Sequence, residues 1–170
     1  MPNRPWKNDE LVEVFFDTED TSKRKYRYLL KCTWNDQSNR VTFVMLNPSV
    51  ADLDTCDPTL DRCSMYARSW GYGGFSVVNL FALIAKNPED LKLEADPIGP
   101  ENDSFIIQSI EESDKVIFAW GEKDCKILNR NKQIITMLKD YQPYCIKKTK
   151  HGNHPRHPLY LKSELTPIIY

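Results

Sequence analysis

The sequence predicts one α/β domain spanning residues 1–170, with a mostly parallel sheet covered by helices on both faces and an antiparallel β element near its N-terminus. Three observations carry that expectation. From residue 41 onward, short buried-strand patterns alternate with helical ones, which is how strands joined by crossover helices read. The first forty residues instead hold two strand patterns separated by a charged stretch. No repeat, low-complexity tract or linker divides the chain, whose 170 residues suit a single core.

The N-terminal strand patterns are Leu11-Val-Glu-Val-Phe-Phe16 and Tyr26-Arg-Tyr-Leu-Leu-Lys-Cys-Thr-Trp34, a β-rich extension over residues 1–40 at one edge of the sheet. The core then runs over residues 41–162. Val41-Thr-Phe-Val-Met-Leu46 is its first strand, ended by Asn47-Pro48-Ser49. Asp57 and Pro58 mark a helix start, one as N-cap and the other at the first helical position. Leu60, Cys63, Ala67 and Trp70 recur at helical spacing until Gly71 stops the helix. Phe75-Ser-Val-Val-Asn-Leu-Phe81 is a second core strand, and Asn87-Pro88 opens a short helix. Phe105, Ile106, Ile107 and Ile110 predict a helix within residues 101–113, followed by the strand Val116-Ile-Phe-Ala-Trp120 and the stop Gly121. Ile127, Leu128, Ile134, Ile135 and Leu138 predict a helix broken near residues 129–131. Tyr144-Cys-Ile-Lys-Lys148 is the last strand.

Apolar and charged content are ordinary for a water-soluble protein, no apolar run reaches membrane-spanning length, and the first ten residues lack a signal-peptide pattern, so a cytoplasmic protein without membrane association is expected. The five cysteines are scattered without a Cys-x-x-Cys pair, which predicts reduced, mostly buried thiols. The net charge of −1 conceals an asymmetry. Residues 1–114 hold twelve basic against twenty acidic side chains, a net −8, whereas residues 115–162 hold eleven against three, a net +8. Either the two parts neutralise each other on folding, or one face suits an anionic partner such as a nucleic acid or phosphate.

In an open parallel sheet, ligands bind beyond the carboxyl ends of the strands. Those ends deliver Asn47, Pro48 and Ser49, then Asn79, then Trp120 and Gly121, and finally the segment ending at His157. Asn79 interrupts an apolar strand, so its amide either pins a neighbouring loop or reads the edge of a flat ligand. Asn47 is either a turn former or a group that orients a water or ligand carbonyl. Asp57 is explained by capping, Asp52 and Asp54 lie in the loop before it, and Arg62 one turn on either binds phosphate or pairs with Asp57 or Asp61. All three histidines fall in His151-Gly-Asn-His154-Pro-Arg-His157. Three imidazoles could hold a metal, but Gly152, Pro155 and Pro158 forbid a regular helix, and the preferred role is anion or oxyanion stabilisation. Neither a metal nor a cofactor is expected.

The set Met45-Leu-Asn-Pro-Ser49, Asp57-Pro-Thr59, Gly71-Tyr-Gly73, Asn79-Leu-Phe-Ala82, Ala119-Trp-Gly121 and Pro155-Arg-His-Pro-Leu-Tyr-Leu161 resembles the domain of unknown function family 1643, found in bacteria and phages. More distantly, the order of these motifs is similar to that of the uracil-DNA glycosylase superfamily. That resemblance implies a three-layer α/β/α sandwich, with Asn47 as the water-positioning residue and Asn79 as the reader of the base edge. It implies His157 as the oxyanion-stabilising residue and Leu161 as the leucine inserted into a duplex. Pro48, Ser49, Arg62, Trp120, Gly121, Arg156 and Tyr160 complete the expected substrate-binding set, with His151 and His154 as bystanders or secondary phosphate contacts. The departures are Asn47 where an aspartate base would be stronger, no Tyr-His after Pro48, and Leu159 in place of a serine. The implied function is action on a nucleotide or nucleic acid, with hydrolysis of the N-glycosidic bond of a modified or damaged base as the reaction. A non-catalytic base, nucleotide or DNA-binding module is the alternative, and a host–phage protein partner is the third reading.

Overall fold

The computed structural model describes residues 2–49 and 54–170; Asp52 lies outside them. Among the described residues, nine strands and three α-helices follow in the order β1 (Arg4–Pro5), β2 (Leu11–Phe16), β3 (Arg27–Thr33), β4 (Arg40–Met45), β5 (Thr55–Cys56), α1 (Pro58–Ser69), β6 (Gly74–Asn79), α2 (Asn102–Glu111), β7 (Lys115–Phe118), α3 (Arg130–Leu138), β8 (Tyr144–Cys145) and β9 (Ile168–Ile169). Seven strands form one mixed sheet in the order β2-β3-β6-β4-β7-β8-β9, and β1 pairs with β5 in a separate two-stranded ribbon.

The expectation of a mostly parallel sheet needs correction. The three inner pairings, β6 with β4, β4 with β7 and β7 with β8, are parallel. The outer three, β2 with β3, β3 with β6 and β8 with β9, are antiparallel. The N-terminal strands lie at one edge as expected, but the C-terminal residues add β9 to the other, an element too short to carry a periodic signal. The last parallel strand is also only two residues long.

Successive strand residues face opposite sides of the sheet. Val44, Val78, Val116 and Phe118 pack with Ile106 and Ile110 of α2 and Ile134 and Leu138 of α3. Phe43, Met45, Val77 and Ile117 pack with Leu60, Cys63, Tyr66 and Ala67 of α1. Such strands, buried on both faces, read as continuous apolar runs, and β6 is buried at all six positions.

Helix α1 begins where its sequence dictates. The Asp57 carboxylate accepts the Leu60 amide at 2.8 Å, Pro58 occupies the first turn, and Gly71 leaves the helix with φ +84°. The expected break before α3 lies at Leu128 and Asn129, both left-handed, one residue earlier than the sequence suggested. All five cysteines are free and buried, and burial pushes the Cys32 and Cys56 thiols up to about 12. No helix among the described residues is long and apolar enough to cross a membrane.

Candidate functional site

A pocket of about 220 Å³ opens beyond the carboxyl ends of β4 and β6, against the N-terminus of α1. Asn47, Ser49, Asn79, Trp120 and His157 line it, together with Arg27, Asp57 and Thr59. Alternation explains two of these positions. Met45 and Val77 point to the α1 face, so two residues further on Asn47 and Asn79 reach the same side just past the packed core.

The end of β6 is held from behind. Asn102 Nδ2 donates to the carbonyls of Asn79 and Leu80 at 3.0 and 3.2 Å, and Arg130 Nε donates to the Leu80 carbonyl at 2.7 Å. Arg130 is anchored in turn by an ion pair with Asp103. The Asn47 loop is tied across the rim, with Nδ2 donating to the carbonyls of Pro48 and Ala85 at 3.1 and 3.0 Å. Among the described residues the Asn47 side-chain oxygen takes no hydrogen bond, which leaves it to a water or ligand.

Asp57 remains a capping residue in full. One carboxylate oxygen takes the Leu60 amide and the other takes the Ser49 hydroxyl at 2.6 Å. His157 is held by a backbone contact, its Nδ1 accepting from the Leu159 amide at 3.3 Å. Burial pushes the imidazole below its usual pKa, and the Asp57 charge opposes that shift without reversing it. The ring is therefore neutral near pH 7 and, with Nδ1 as acceptor, carries its proton on Nε2. Gly121, at φ +80°, turns the chain past His157 so closely that a Cβ there would lie 3.6 Å from that of the histidine.

Two donors in this pocket have no partner among the described residues. Asn79 and Trp120 are each 2% exposed, and both Asn79 Nδ2 and Trp120 Nε1 lack a hydrogen bond. Each such group costs about 1–3 kcal/mol when left unsatisfied. With the His157 Nε2–H, the wall presents donors, while Asp57, the one carboxylate lining it among the described residues, is already doubly engaged.

Other residues of the expected set do not converge here. Arg62 turns away, donating to the Leu161 carbonyl and packing against Met65. Leu161 is 5% exposed within the α1-side core, so it cannot project into a duplex; Tyr160 beside it is 78% exposed and stands 6.3 Å from the His157 ring. Pro48 contributes its carbonyl to the loop tie, and the Arg156 backbone donates to the Lys147 carbonyl at 2.8 Å. Neither lines the pocket, nor does Gly121. His154 stands apart from this pocket. It is buried, with Nδ1 at 3.8 Å from Cys125 Sγ, and lines a second cavity on the other side of its loop.

Sequence reasoning missed Arg27, which is 3% exposed in the pocket wall. A lone arginine in an apparent edge strand carried no signal until β3 was known to lie beside β6. Asn102 and Arg130 were equally silent, because their work is on backbone carbonyls far away in sequence.

The molecule is thus a mixed α/β protein with a donor-lined pocket at the carboxyl end of its parallel strands. The model of the family described as protein of unknown function (DUF1643) matches residues 27–159, and the chain belongs to that family. No curated protein and no solved structure matches it.

Proposed function

We propose that the pocket binds a flat, acceptor-rich ring, a nucleobase presented by a nucleotide or nucleic acid, on a glycosylase-like α/β/α sandwich. The observation that carries this reading is the pair of buried donors without partners, Asn79 Nδ2 and Trp120 Nε1, in one small cavity. A ring with exocyclic oxygens would satisfy both and recover the cost of leaving them dry. The volume suits one ring system rather than a drug-sized ligand.

The reaction this arrangement fits is hydrolysis of an N-glycosidic bond. The C1′–N bond breaks with its electron pair going to the base, the oxygen of water bonds to C1′, and the proton that water releases ends on the departing base. His157 Nε2–H would donate to the negative charge developing on the base, the role of an oxyanion hole. Asn47, through its free side-chain oxygen, would orient the water.

One feature favours the alternative of a non-catalytic binding module. Among the described residues Asp57 is the one carboxylate lining the pocket, and both its oxygens are engaged, while Asn47 is a weak base. A single experiment separates these readings. Single- and double-stranded DNA carrying uracil or modified pyrimidines is incubated with the protein and assayed for abasic sites, alongside nucleoside binding read by tryptophan fluorescence. Abasic sites that vanish in Asn47→Ala and His157→Ala support the hydrolase. Binding without them supports the module, and equal activity in wild type and both variants rejects the site.

A further inference from the structure

The loop of residues 151–157 separates two cavities. His157 lines the first; His154, three residues earlier, lines a groove of about 450 Å³ with Lys126, Lys132, Asn131, Gly152 and Tyr170. The two are neighbours, since Trp120 of the first stacks edge-on against Tyr170 of the second with ring centroids 6.3 Å apart.

Folding leaves the groove's charge standing. Among the described residues, Arg130 is the only basic side chain between residues 115 and 162 that pairs with an aspartate or glutamate, while Lys148 Nζ donates to the Tyr170 oxygen at 2.9 Å. Asp124, one of the three acids in that stretch, is itself taken by Lys92 at 3.5 Å. Lys126 and Lys132 are exposed at the groove, and the adjoining turn carries Lys147 and Lys150, also exposed. This turn is a built ladder, with Thr149 N–H on the His154 carbonyl at 2.9 Å and Arg156 N–H on the Lys147 carbonyl at 2.8 Å. The groove also holds an unsatisfied polar atom. Asn131 is 6% exposed, and its side-chain oxygen has no partner among the described residues.

We infer that this groove is a second binding site, for the sugar-phosphate backbone of a polynucleotide whose base enters the first pocket. Lysines alone would suit any polyanion. The Asn131 acceptor beside them calls for a ligand that also brings donors, which a base edge or a ribose 2′-hydroxyl supplies and an inorganic phosphate at neutral pH supplies poorly. Tyr160, exposed next to His157, adds an aromatic face on which a neighbouring base stacks. An acidic peptide matches the charge but not the aromatic face. The inference rests on the base-binding reading of the first pocket, and it selects a polymer over a free nucleotide.

The test measures binding of the full chain to a single-stranded oligonucleotide of about ten nucleotides, to a mononucleotide and to polyglutamate, across a salt series. The expected result is oligonucleotide binding that weakens at least tenfold in Lys126→Ala/Lys132→Ala, with the slope of log affinity against log salt falling by about 1.4 for two lost phosphate contacts. Nucleoside binding stays unchanged in that variant and is lost in Asn79→Leu. Oligonucleotide binding that is absent, or untouched by the lysine substitutions, overturns the groove while leaving nucleoside binding to support the pocket. Equal affinity for mononucleotide or polyglutamate overturns it as well. Lysine-dependent oligonucleotide binding without any nucleoside binding instead overturns the base pocket and keeps the groove as a backbone site.

Discussion

The acidic and basic parts of this chain carry equal and opposite charge but use it differently. In residues 1–114 the charges close on one another. Arg4 Nη1 meets Glu10 at 3.0 Å and Nε meets Asp61 at 2.6 Å, while Lys25 pairs with Glu94, Lys31 with Glu112 and Arg68 with Asp9. In residues 115–162 no ion pair closes within the region among the described residues; Arg130 and Asp124 pair instead with Asp103 and Lys92 of the other part. Those two pairs are the direct ion pairs between the parts among the described residues, and they leave most of the basic side chains of residues 115–162 without a carboxylate partner. Charge in one region holds the fold; in the other it remains at the surface.

The sharpest way to break this contrast is at Glu10, whose side chain is fully buried. Burial by itself would raise its carboxyl, yet hydrogen bonds from Arg4, the Lys7 amide and Ser64 hold it below the usual value of 4.5. Glu10→Gln should lower the unfolding free energy by about 3 kcal/mol in urea denaturation. Because the folded-state pKa is depressed, the wild-type contribution is complete above about pH 4.5 and fades as pH falls through the lowered value. The variant should lack that acid dependence.

The next test concerns Asn79. Replacement by leucine removes a buried donor that has no partner, so the free protein should gain up to about 1 kcal/mol or stay level. Ring binding should drop at least tenfold. A large loss of stability would mean that the amide pins a loop instead.

His157 offers a pH readout. Its folded pKa lies below the ordinary 6.5, so the unfolded chain takes up a proton first as pH falls. Stability should be level above about pH 6.5 and decline below it until the folded value is passed. His157→Gln should make that decline shallower in a pH series of thermal melts.

The smallest effect belongs to the basic region. Lys150→Ala, at an exposed position, should shift stability by no more than about 0.5 kcal/mol while weakening oligonucleotide binding. A destabilisation as large as that at Glu10 would abolish the distinction between the two regions.

Much of the architecture was legible in the residues. The limits of β2, the cap of α1 at Asp57 and Pro58, the core strands and the break before α3 all follow from periodicity, turn chemistry and capping. These signals are local: they report which way successive side chains face and where a backbone must turn. The same alternation brought Asn47 and Asn79 to one rim, where Trp120 at the end of β7 and His157 in the loop after the last parallel strand join them.

What the sequence could not decide depends on which strands lie side by side. Arg27 reaches the pocket because β3 pairs antiparallel with β6, and half of the sheet's pairings turn out antiparallel for the same topological reason. Leu161 is buried and Tyr160 exposed because a single turn after Pro158 rotates one toward α1 and the other outward. His154 and His157 face different cavities because Pro155 is bridged back to Lys148, which fixes the loop as a wall between them. A sequence records each residue's local preference, whereas long-range pairing sets which distant groups meet, and the chemistry of this pocket is made of such meetings.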